Sequence, residues 1–281
     1  MRTIQLSEVT DRVRKLCQQA NCELGDDVID ALRRAREVEE SPTGGRILDQ
    51  ILENARIAKD RTAPLCQDTG FAVFFAELGT EVILEGEGTL KDAINRGVAQ
   101  GYKEGFLRKS IVSDPFKRVN TGDNTPSVVY LTQVPGDRLT MTFTPKGGGS
   151  ENMSRQAMLK PADGLEGVKN FVVETVEKAG ANPCPPIIVG LGIGGTFDYS
   201  AYLAKKALLR RLDSRNPDPF YAGLEKELLE LVNRTGVGPQ GLGGTTTALG
   251  VLIQAYPCHI ASLPVAVNMQ CHSARHLSAV F

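Results

Sequence analysis

The spacing of apolar residues predicts a helical segment over residues 1–61. Its first two helices each carry an apolar face, formed by Val9, Val13, Leu16 and Cys17 on one and by Val28, Ile29 and Leu32 on the next. We expect a third helix to begin after Ser41, because serine is a favoured N-cap and Pro42 suits the first helical position.

From Gly70 the pattern indicates strands in "GFAVFFAEL" and "EVILEG", followed by a helix over "TLKDAINRGVAQGYKEGF". The next segment, "SVVYLTQVPGDRLTMTFTPK", predicts a β-hairpin whose turn lies at residues 135–137. Its second strand has one apolar face, formed by Leu139, Met141 and Phe143, and one face of threonines.

The second half of the chain alternates between helical and strand patterns. We predict a helix at about 161–180, an apolar strand in "PPIIVGLGI", two helices over roughly 198–234, and closing strands in "VLIQAY" and "HIASLPVAV". No internal repeat or low-complexity linker interrupts this pattern. The sequence therefore predicts one continuous α/β domain over residues 1–281, in which a helical N-terminal segment precedes a mixed α/β unit with small sheets.

Composition narrows the class of protein. The chain has 281 residues, of which 41% are hydrophobic and 23% charged, as is ordinary for a folded protein. Its net charge of -1 gives no excess of positive charge that would bind phosphates, so we expect no nucleic-acid partner. No apolar run is long enough to span a bilayer, and charges in the first residues exclude a signal peptide. We therefore expect a cytoplasmic protein with no membrane association.

Glycine is concentrated in three loops, "KGGGSENMS", "GLGIGGT" and "GPQGLGGTTT", each beside a strand. Such loops let main-chain N–H groups approach an anion closely, and they serve equally well as tight turns. The second loop matches G-x-G-x-x-G, but no acidic residue ends a second strand about 20 residues later, as dinucleotide binding requires. A nucleotide- or phosphate-binding subunit therefore remains an alternative function.

The cysteines are the strongest chemical signal. Cys66 and Cys184 each precede a strand and Cys271 follows one, so these thiols could converge at one rim of a sheet. Cys258 lies between two apolar strands and is either a fourth ligand or a core thiol. No spacing is C-x-x-C, so a local zinc site is not indicated, although a structural zinc protein remains possible. The other two cysteines are predicted to be packing residues: Cys17 and Cys22.

Three thiolates with an open fourth position suit a [4Fe–4S] cluster in which one iron lacks a protein ligand. Such an iron is a Lewis acid that can bind a substrate hydroxyl and carboxylate. Thiolate softness also favours iron–sulfur or zinc over magnesium.

Four segments, "LCQDTG", "KGGGSEN", "NPCPPIIVGLGIGGT" and "VNMQCHSARH", together resemble the iron–sulfur hydro-lyases of the class I fumarase and L-tartrate dehydratase family. The resemblance covers nearly the whole chain. It implies that Cys66, Cys184 and Cys271 ligate a [4Fe–4S] cluster at strand ends of an α/β unit, with one iron left open for substrate.

The same resemblance implies roles for four further residues. Gln67 and Asp68 would contact a dicarboxylate substrate, and Asp68 would donate the proton to the leaving hydroxyl. Negative charge on the cluster and the substrate favours the acid form of that carboxyl group. Arg108 would bind a substrate carboxylate and Gly149 would offer a main-chain contact. The structural alternatives are a turn-capping Asp68 and a solvated helix-end Arg108.

The chain reaches Phe281 soon after Cys271, so the resemblance implies the alpha subunit of a two-subunit enzyme. A separate beta subunit would supply a swivelling domain with the catalytic base, in an α₂β₂-type assembly. The compact length favours hydration of fumarate to malate, with dehydration of tartrate to oxaloacetate as the alternative.

The apolar tail at residues 277–281 is expected to pack against a partner or onto the chain's own sheet. His272, beside a proposed ligand, would support the site or simply pack.

Overall fold

The computed structural model describes residues 1–281 and confirms the predicted α/β class. The helices are α1 (Leu6–Cys22), α2 (Asp26–Val38), α3 (Pro42–Arg61), α4 (Leu90–Glu104), α5 (Gly148–Glu151), α6 (Gly164–Ala179), α7 (Phe197–Ala207) and α8 (Pro219–Asn233). The strands are β1 (Arg2–Gln5), β2 (Phe71–Gly79), β3 (Val82–Glu85), β4 (Val128–Val134), β5 (Leu139–Lys146), β6 (Arg155–Leu159), β7 (Ile187–Gly195), β8 (Ala248–Cys258), β9 (Leu263–Gln270) and β10 (Leu277–Val280). None of the helices is both long and apolar enough to cross a lipid bilayer.

The chain forms two compact units, each with its own four-stranded sheet and hydrophobic core. Unit 1 consists of Met1–Leu24, Ala55–Gly148 and Arg275–Phe281. Unit 2 consists of Gly25–Asn54 and Gly149–Ala274.

In unit 1, α1 packs against α4 and against a four-stranded sheet with the order β10-β5-β2-β4. The predicted apolar face of α1 is buried, and Gly97 of α4 allows the two helices to approach closely. A Cβ at Gly97 would lie 2.6 Å from the carbonyl oxygen of Thr10. Helix α4 begins with a capping box, in which the side chains of Thr89 and Asp92 each accept a hydrogen bond from the other residue's main-chain N–H.

The hairpin predicted between β4 and β5 is wrong, although both strands form. Strand β2 lies between them, parallel to β4 and antiparallel to β5. Residues 72–76 of β2 are all buried, as suits a central strand, whereas β4 exposes residues 131–133, as suits an edge. The turn at 135–137 instead closes around the end of β2, where Glu81 N–H donates to the Gly136 carbonyl oxygen at 2.9 Å. Alternation of apolar residues identifies a strand but not its partner.

Three short strands were not predicted. Strand β1 pairs in parallel with β3, β6 pairs with β9, and β10 pairs antiparallel with β5. The apolar tail therefore packs onto the chain's own sheet, with Ala279 and Phe281 buried.

In unit 2 the sheet has the order β6-β9-β7-β8. Ile187, Val189 and Leu191 of β7 share a core with apolar residues of α6 and α8. The residues between them, Gly190 and Gly192, contact α7 on the opposite face, since side-chain direction alternates along a strand. A Cβ at these glycines would lie 2.2 Å and 2.0 Å from main-chain oxygens of α7. Gly190 and Gly192 of "GLGIGG" therefore allow α7 to pack closely on β7, which is the structural alternative to a nucleotide site.

Unit 2 also contains α2 and the start of α3, where the predicted cap is confirmed. Helix α3 begins at Pro42, and the Ser41 hydroxyl oxygen accepts the N–H of Gly44 at 3.1 Å.

We predict that Gly192→Ala lowers the free energy of unfolding by about 1–3 kcal/mol, because the added methyl group forces α7 away from β7. Gly223→Ala is the matched control, since a Cβ there meets nothing within 4 Å and Gly223 lies inside α8. The control should gain roughly 0.5–1 kcal/mol. Chemical denaturation of both variants measures the difference, and an unchanged Gly192→Ala protein would contradict the packing role.

Candidate active site

The loop between α3 and β2 in unit 1 holds Cys66, Gln67 and Asp68 side by side. The Cys66 sulfur accepts the N–H of Asp68 at 3.4 Å and lies 3.2 Å from the Gln67 side-chain oxygen. Cys66 and Asp68 are half-buried, and Gln67 is exposed. The loop thus presents a thiol, an amide and a carboxylate within one short turn.

The Asp68 carboxylate is held at both oxygens. Oδ1 accepts the N–H of Gly70 at 2.9 Å, and Oδ2 accepts the N–H of Gly148 at 2.8 Å. Asp68 therefore does cap the turn before β2. Each carboxylate oxygen has a second lone pair, so capping leaves acceptor capacity for a further partner.

Three buried side chains hold the main chain of this loop at residues 68–70. The Tyr102 hydroxyl donates to the Thr69 carbonyl oxygen at 2.6 Å, and the Asn124 amide donates to that of Gly70 at 3.2 Å. Arg275 donates from Nη2 to the Asp68 carbonyl oxygen at 2.7 Å while only 3% exposed. Burial raises the pKa of Tyr102 well above its ordinary value, so its hydroxyl remains a donor.

Sequence reasoning missed Tyr102, Asn124 and Arg275. Of these three residues, only Arg275 could have been identified from the sequence, because it lies in the family-like segment "VNMQCHSARH".

The segment that contains Arg108 is hydrogen-bonded to the same loop. The Thr69 hydroxyl donates to the Arg108 carbonyl oxygen at 3.1 Å. Arg108 lies beyond the end of α4 and its side chain is exposed. Unit 1 therefore gathers four of the predicted site residues: Cys66, Gln67, Asp68 and Arg108.

Unit 2 gathers two of the predicted ligands, Cys184 and Cys271. The ring Nδ1 of His272 lies 3.0 Å from the Cys184 carbonyl oxygen, although 88 residues separate the two in sequence. With Nδ1 protonated, the imidazole donates this hydrogen bond. Cys184 immediately precedes the strand pair in which Ile188 of β7 lies opposite Gln270 of β9. Both cysteines therefore lie at the same end of the sheet.

The main chain at Cys184 is strained. Its φ of 57° lies in the left-handed region, which costs a non-glycine residue about 1–3 kcal/mol. Gln240 holds the loop from the other side, because its main-chain and side-chain N–H groups donate to the Pro185 carbonyl oxygen at 2.8 Å and 2.9 Å. Such residues persist where the surrounding contacts fix them, and they are common at functional sites.

Gly149, the remaining predicted site residue, lies beside the Cys184 loop. A Cβ at Gly149 would be 3.4 Å from the carbonyl oxygen of Asn182. Glu151 supports this glycine-rich segment by pairing with Lys205 and by accepting a hydrogen bond from Asn268 at 2.9 Å.

Cys258 lies at the other end of the unit 2 sheet. It is paired with Gly195 at the end of β7, whereas Cys184 precedes the start of that strand. The length of β7 separates them by about 25 Å at 3.3 Å per residue. Its thiol donates instead to the Ser262 carbonyl oxygen at 3.3 Å. Cys258 therefore cannot join Cys184 and Cys271 as a ligand.

The third glycine-rich loop binds an anion that belongs to the chain itself. Glu39 accepts main-chain N–H groups of Thr245 at 2.9 Å and Thr246 at 2.8 Å. A Cβ at Gly244 would lie 2.6 Å from the same carboxylate. The loop therefore has the character of an anion nest, and Glu39 fills it.

Within neither unit do three or more His, Cys, Asp or Glu side chains form a group that would hold a single metal ion. The soft sulfur donors are divided between Cys66 of unit 1 and the Cys184 and Cys271 pair of unit 2. Their character fits iron–sulfur chemistry: the Cys66 sulfur accepts an amide N–H, and the Gln270 side-chain amide lies 3.9 Å from the Cys271 sulfur.

Comparison with known proteins identifies the family. The family model described as fumarate hydratase (Fumerase) matches residues 10–280. The chain belongs to this hydro-lyase family. The match includes every segment on which the resemblance was based, and that resemblance is confirmed.

Relatives within the family carry a narrower name. A Methanocaldococcus jannaschii protein, provisionally named L(+)-tartrate dehydratase subunit alpha, is 44% identical over 95% of both chains. The L(+)-tartrate dehydratase subunit alpha of Escherichia coli K12 is 35% identical over 96% of this chain and 89% of its own. The Shigella sonnei protein of the same name shows the same identity and coverage.

We predict that Glu39 stabilises unit 2 in a pH-dependent manner. Partial burial raises its pKa, but hydrogen bonds from Thr245, Ser41 and Thr246 outweigh burial and the pKa lies below its usual range. A lowered pKa means that the stabilisation is complete above the unfolded-state value and is lost as the pH falls through the folded-state value. Glu39→Gln should therefore lower the free energy of unfolding at pH 7 by about 1 kcal/mol.

Urea denaturation measures this effect at neutral pH and below the ordinary glutamate pKa of 4.5. The difference from the unaltered protein should shrink at the acid pH. Glu37→Gln, an exposed neighbour on α2, is the control and should show no such change. Equal stability of Glu39→Gln and the unaltered protein at pH 7 would refute the role.

Proposed function

We propose that this chain is the alpha subunit of an iron–sulfur hydro-lyase that dehydrates L(+)-tartrate to oxaloacetate. The match to the family model over residues 10–280 supports the reaction class. The names of relatives that are 35–44% identical over nearly the whole chain support tartrate and the subunit role. Sequence length favoured fumarate, and the relatives favour the alternative substrate. The family name keeps fumarate as the second candidate.

The observation that carries the proposal is the joining of Cys184 to the Cys271–His272 segment at one end of the unit 2 sheet. Cys184 has strained main chain, and its carbonyl oxygen is linked across 88 residues to the histidine that follows Cys271. Core packing does not explain this arrangement, since Cys184 is exposed. We assign Cys66, Cys184 and Cys271 as ligands of a [4Fe–4S] cluster. When bound, the cluster supplies an iron with an open position, a Lewis acid for a substrate hydroxyl and carboxylate.

The chain's own residues then bind the substrate and move a proton. Asp68, held at both oxygens by main-chain N–H groups, gives a proton to the departing hydroxyl, which leaves as water. Arg108 offers an exposed planar guanidinium that fits a carboxylate with two hydrogen bonds. Gln67 and Gly149 are exposed and offer an amide and a main-chain N–H to the substrate's oxygens. The base that removes the C–H proton would come from the second subunit.

Two glycine-rich segments argue against the phosphate-binding alternative. Residues 190–195 belong to strand β7, where Gly190 and Gly192 pack against α7, and the loop at 238–247 is filled by Glu39. Neither leaves its main-chain N–H groups arranged for an external phosphate.

The function is tested by reconstitution. We expect the anaerobically purified chain, mixed with its second subunit, to dehydrate L(+)-tartrate faster than it hydrates fumarate, because relatives that are 35–44% identical carry the tartrate dehydratase name. The isolated chain should turn over almost no substrate, since the proposed catalytic base belongs to the second subunit.

The Asp68→Asn variant should assemble normally with the second subunit and lose about 10²-fold in kcat, the usual contribution of a general acid.

Two outcomes would contradict the proposal. Faster turnover of fumarate than of tartrate would overturn the substrate. Hydration or dehydration by the isolated chain at a rate typical of enzymes would overturn the subunit role.

The ligand assignment is tested by single substitutions. Cys66→Ser, Cys184→Ser and Cys271→Ser should each abolish the broad visible absorbance and the iron content, because a serine hydroxyl is a poor substitute for a soft thiolate. Cys258→Ser is the matched control and should retain both, since Cys258 lies at the far end of the sheet. Loss of the cluster in Cys258→Ser but not in Cys271→Ser would show the third ligand to be wrong. A colourless protein with stoichiometric zinc would favour a structural zinc protein.

A further inference from the structure

The segment that follows α4, residues 106–120, exposes unusually large apolar side chains. We call it the basic loop. Phe106 is 93% exposed, Phe116 94% and Val119 62%. An exposed apolar side chain alone is ordinary, but two almost fully exposed phenylalanines in one loop mark a surface that another molecule covers.

The tip of the basic loop is ordered by its own hydrogen bonds. Val112 and Asn120 form a β-bridge, and Ser113 N–H donates to the Val119 carbonyl oxygen at 2.7 Å. The Asp114 carboxylate caps the turn by accepting the N–H groups of residues 116 and 117 at 2.9 Å and 2.7 Å, which lowers its pKa. Phe116 therefore lies on a turn that is closed by hydrogen bonds.

The main chain of the loop is also strained at two bulky residues. Phe106 has φ of 52° and Arg118 has φ of 57°, both in the left-handed region that favours glycine. Non-glycine residues with this main-chain conformation persist only where surrounding contacts fix them, and they are frequent in binding segments.

The base of the loop is anchored to the candidate active site of unit 1. Ser110 N–H donates to the buried Asn124 side-chain oxygen at 2.7 Å, and the amide of Asn124 also donates to Gly70. The Arg108 carbonyl oxygen accepts the Thr69 hydroxyl. A hydrogen-bonded segment thus connects the proposed substrate arginine to the exposed Phe116.

Charge distinguishes the loop from the rest of the chain. It contains four basic side chains and one acidic side chain, whereas the whole chain has a net charge of -1. The basic residues are Arg108, Lys109, Lys117 and Arg118. A partner that fits this surface presents an apolar pocket for Phe116 with carboxylates at its rim.

We propose that the basic loop is the docking element for the second subunit of the hydro-lyase, which receives Phe116 in an apolar pocket rimmed by carboxylates. This inference rests on the proposed function, because it takes the partner to be the chain that completes the active site. A chain that supplies the catalytic base must reach the substrate, and the loop contains the arginine assigned to the substrate.

A second copy of this chain fits the loop less well. The surface cavity of unit 2, about 590 Å³, is lined by aromatic and other apolar side chains that include Phe197, Tyr199 and Tyr256. Its lining contains no carboxylate. It could receive a phenylalanine but would not complement Lys117 and Arg118.

The test measures binding of the purified second subunit to variants of this chain by calorimetry. Phe116→Ser should weaken the affinity at least 10-fold, since a buried aromatic anchor is a typical interface hot spot. Lys117→Glu should weaken the affinity at low salt and reduce the dependence of that affinity on salt. Ile260→Ser is the control, because Ile260 is 91% exposed but lies in unit 2, and it should bind normally.

Asp114→Ala provides a second variant that keeps the aromatic side chain. It removes the cap that closes the turn, so the affinity should fall by a smaller factor than in Phe116→Ser. Thermal unfolding should be unchanged in Phe116→Ser, because Phe116 is 94% exposed and contributes almost no buried area to the isolated chain. A weakened affinity with intact folding therefore reports the interface.

The outcomes separate this proposal from the proposed function. Association of the unaltered chains with tartrate turnover supports the function by itself, and unchanged affinity of Phe116→Ser in that complex overturns only the docking role. Failure of the unaltered chains to associate overturns both. If Phe116→Ser instead converts a dimer of this chain to a monomer in ultracentrifugation and leaves the affinity for the second subunit unchanged, the loop joins two copies and the proposal is wrong.

Discussion

The hydrogen bonds to the main chain at residues 68–70 are the constraint on which the candidate active site of unit 1 depends. Buried main-chain carbonyl groups must be paired, and here buried side chains pair them. Tyr102, Asn124 and Arg275 come from α4, from the segment after the basic loop and from the C-terminal segment. Each of these side chains is at most 3% exposed, so none can exchange its partner for water without cost. The position of Cys66, Gln67 and Asp68 is therefore set by three distant parts of the chain.

Glycine serves three different purposes in this protein, and composition does not distinguish them. At Gly192 it allows a helix to lie against a strand, and at Gly244 it leaves room for the Glu39 carboxylate. At Gly70 a φ of 76° and the closeness of the main chain at Lys146 exclude any side chain. A glycine-rich segment is thus compatible with close packing, with an internal anion and with a left-handed main chain. Only the neighbours that surround each loop decide among these purposes.

The three cysteines of unit 2 show how sheet topology assigns chemistry. Cys184, Cys258 and Cys271 all lie near strand ends, so the strand pattern by itself left Cys258 open as a fourth ligand. Strand β9 runs antiparallel to β7 and β8 runs parallel to it, so the end of β9 meets the start of β7 while the end of β8 lies far away. Strand direction therefore selects Cys271 and excludes Cys258, and the contact of His272 with the Cys184 carbonyl oxygen fixes the pair.

The sequence by itself determined the class of the fold, most helices and strands, the N-cap at Ser41 and the family, because these depend on local periodicity, capping and contiguous motifs. It placed Cys66, Gln67 and Asp68 in one loop for the same reason, since they are neighbours in the chain. Only the tertiary structure decided that β2 separates β4 from β5, that the tail forms β10, and that Tyr102, Asn124 and Arg275 support the loop. These features depend on which segments meet across long separations, and the free energy that selects them comes from packing and hydrogen bonds between residues with no local relation.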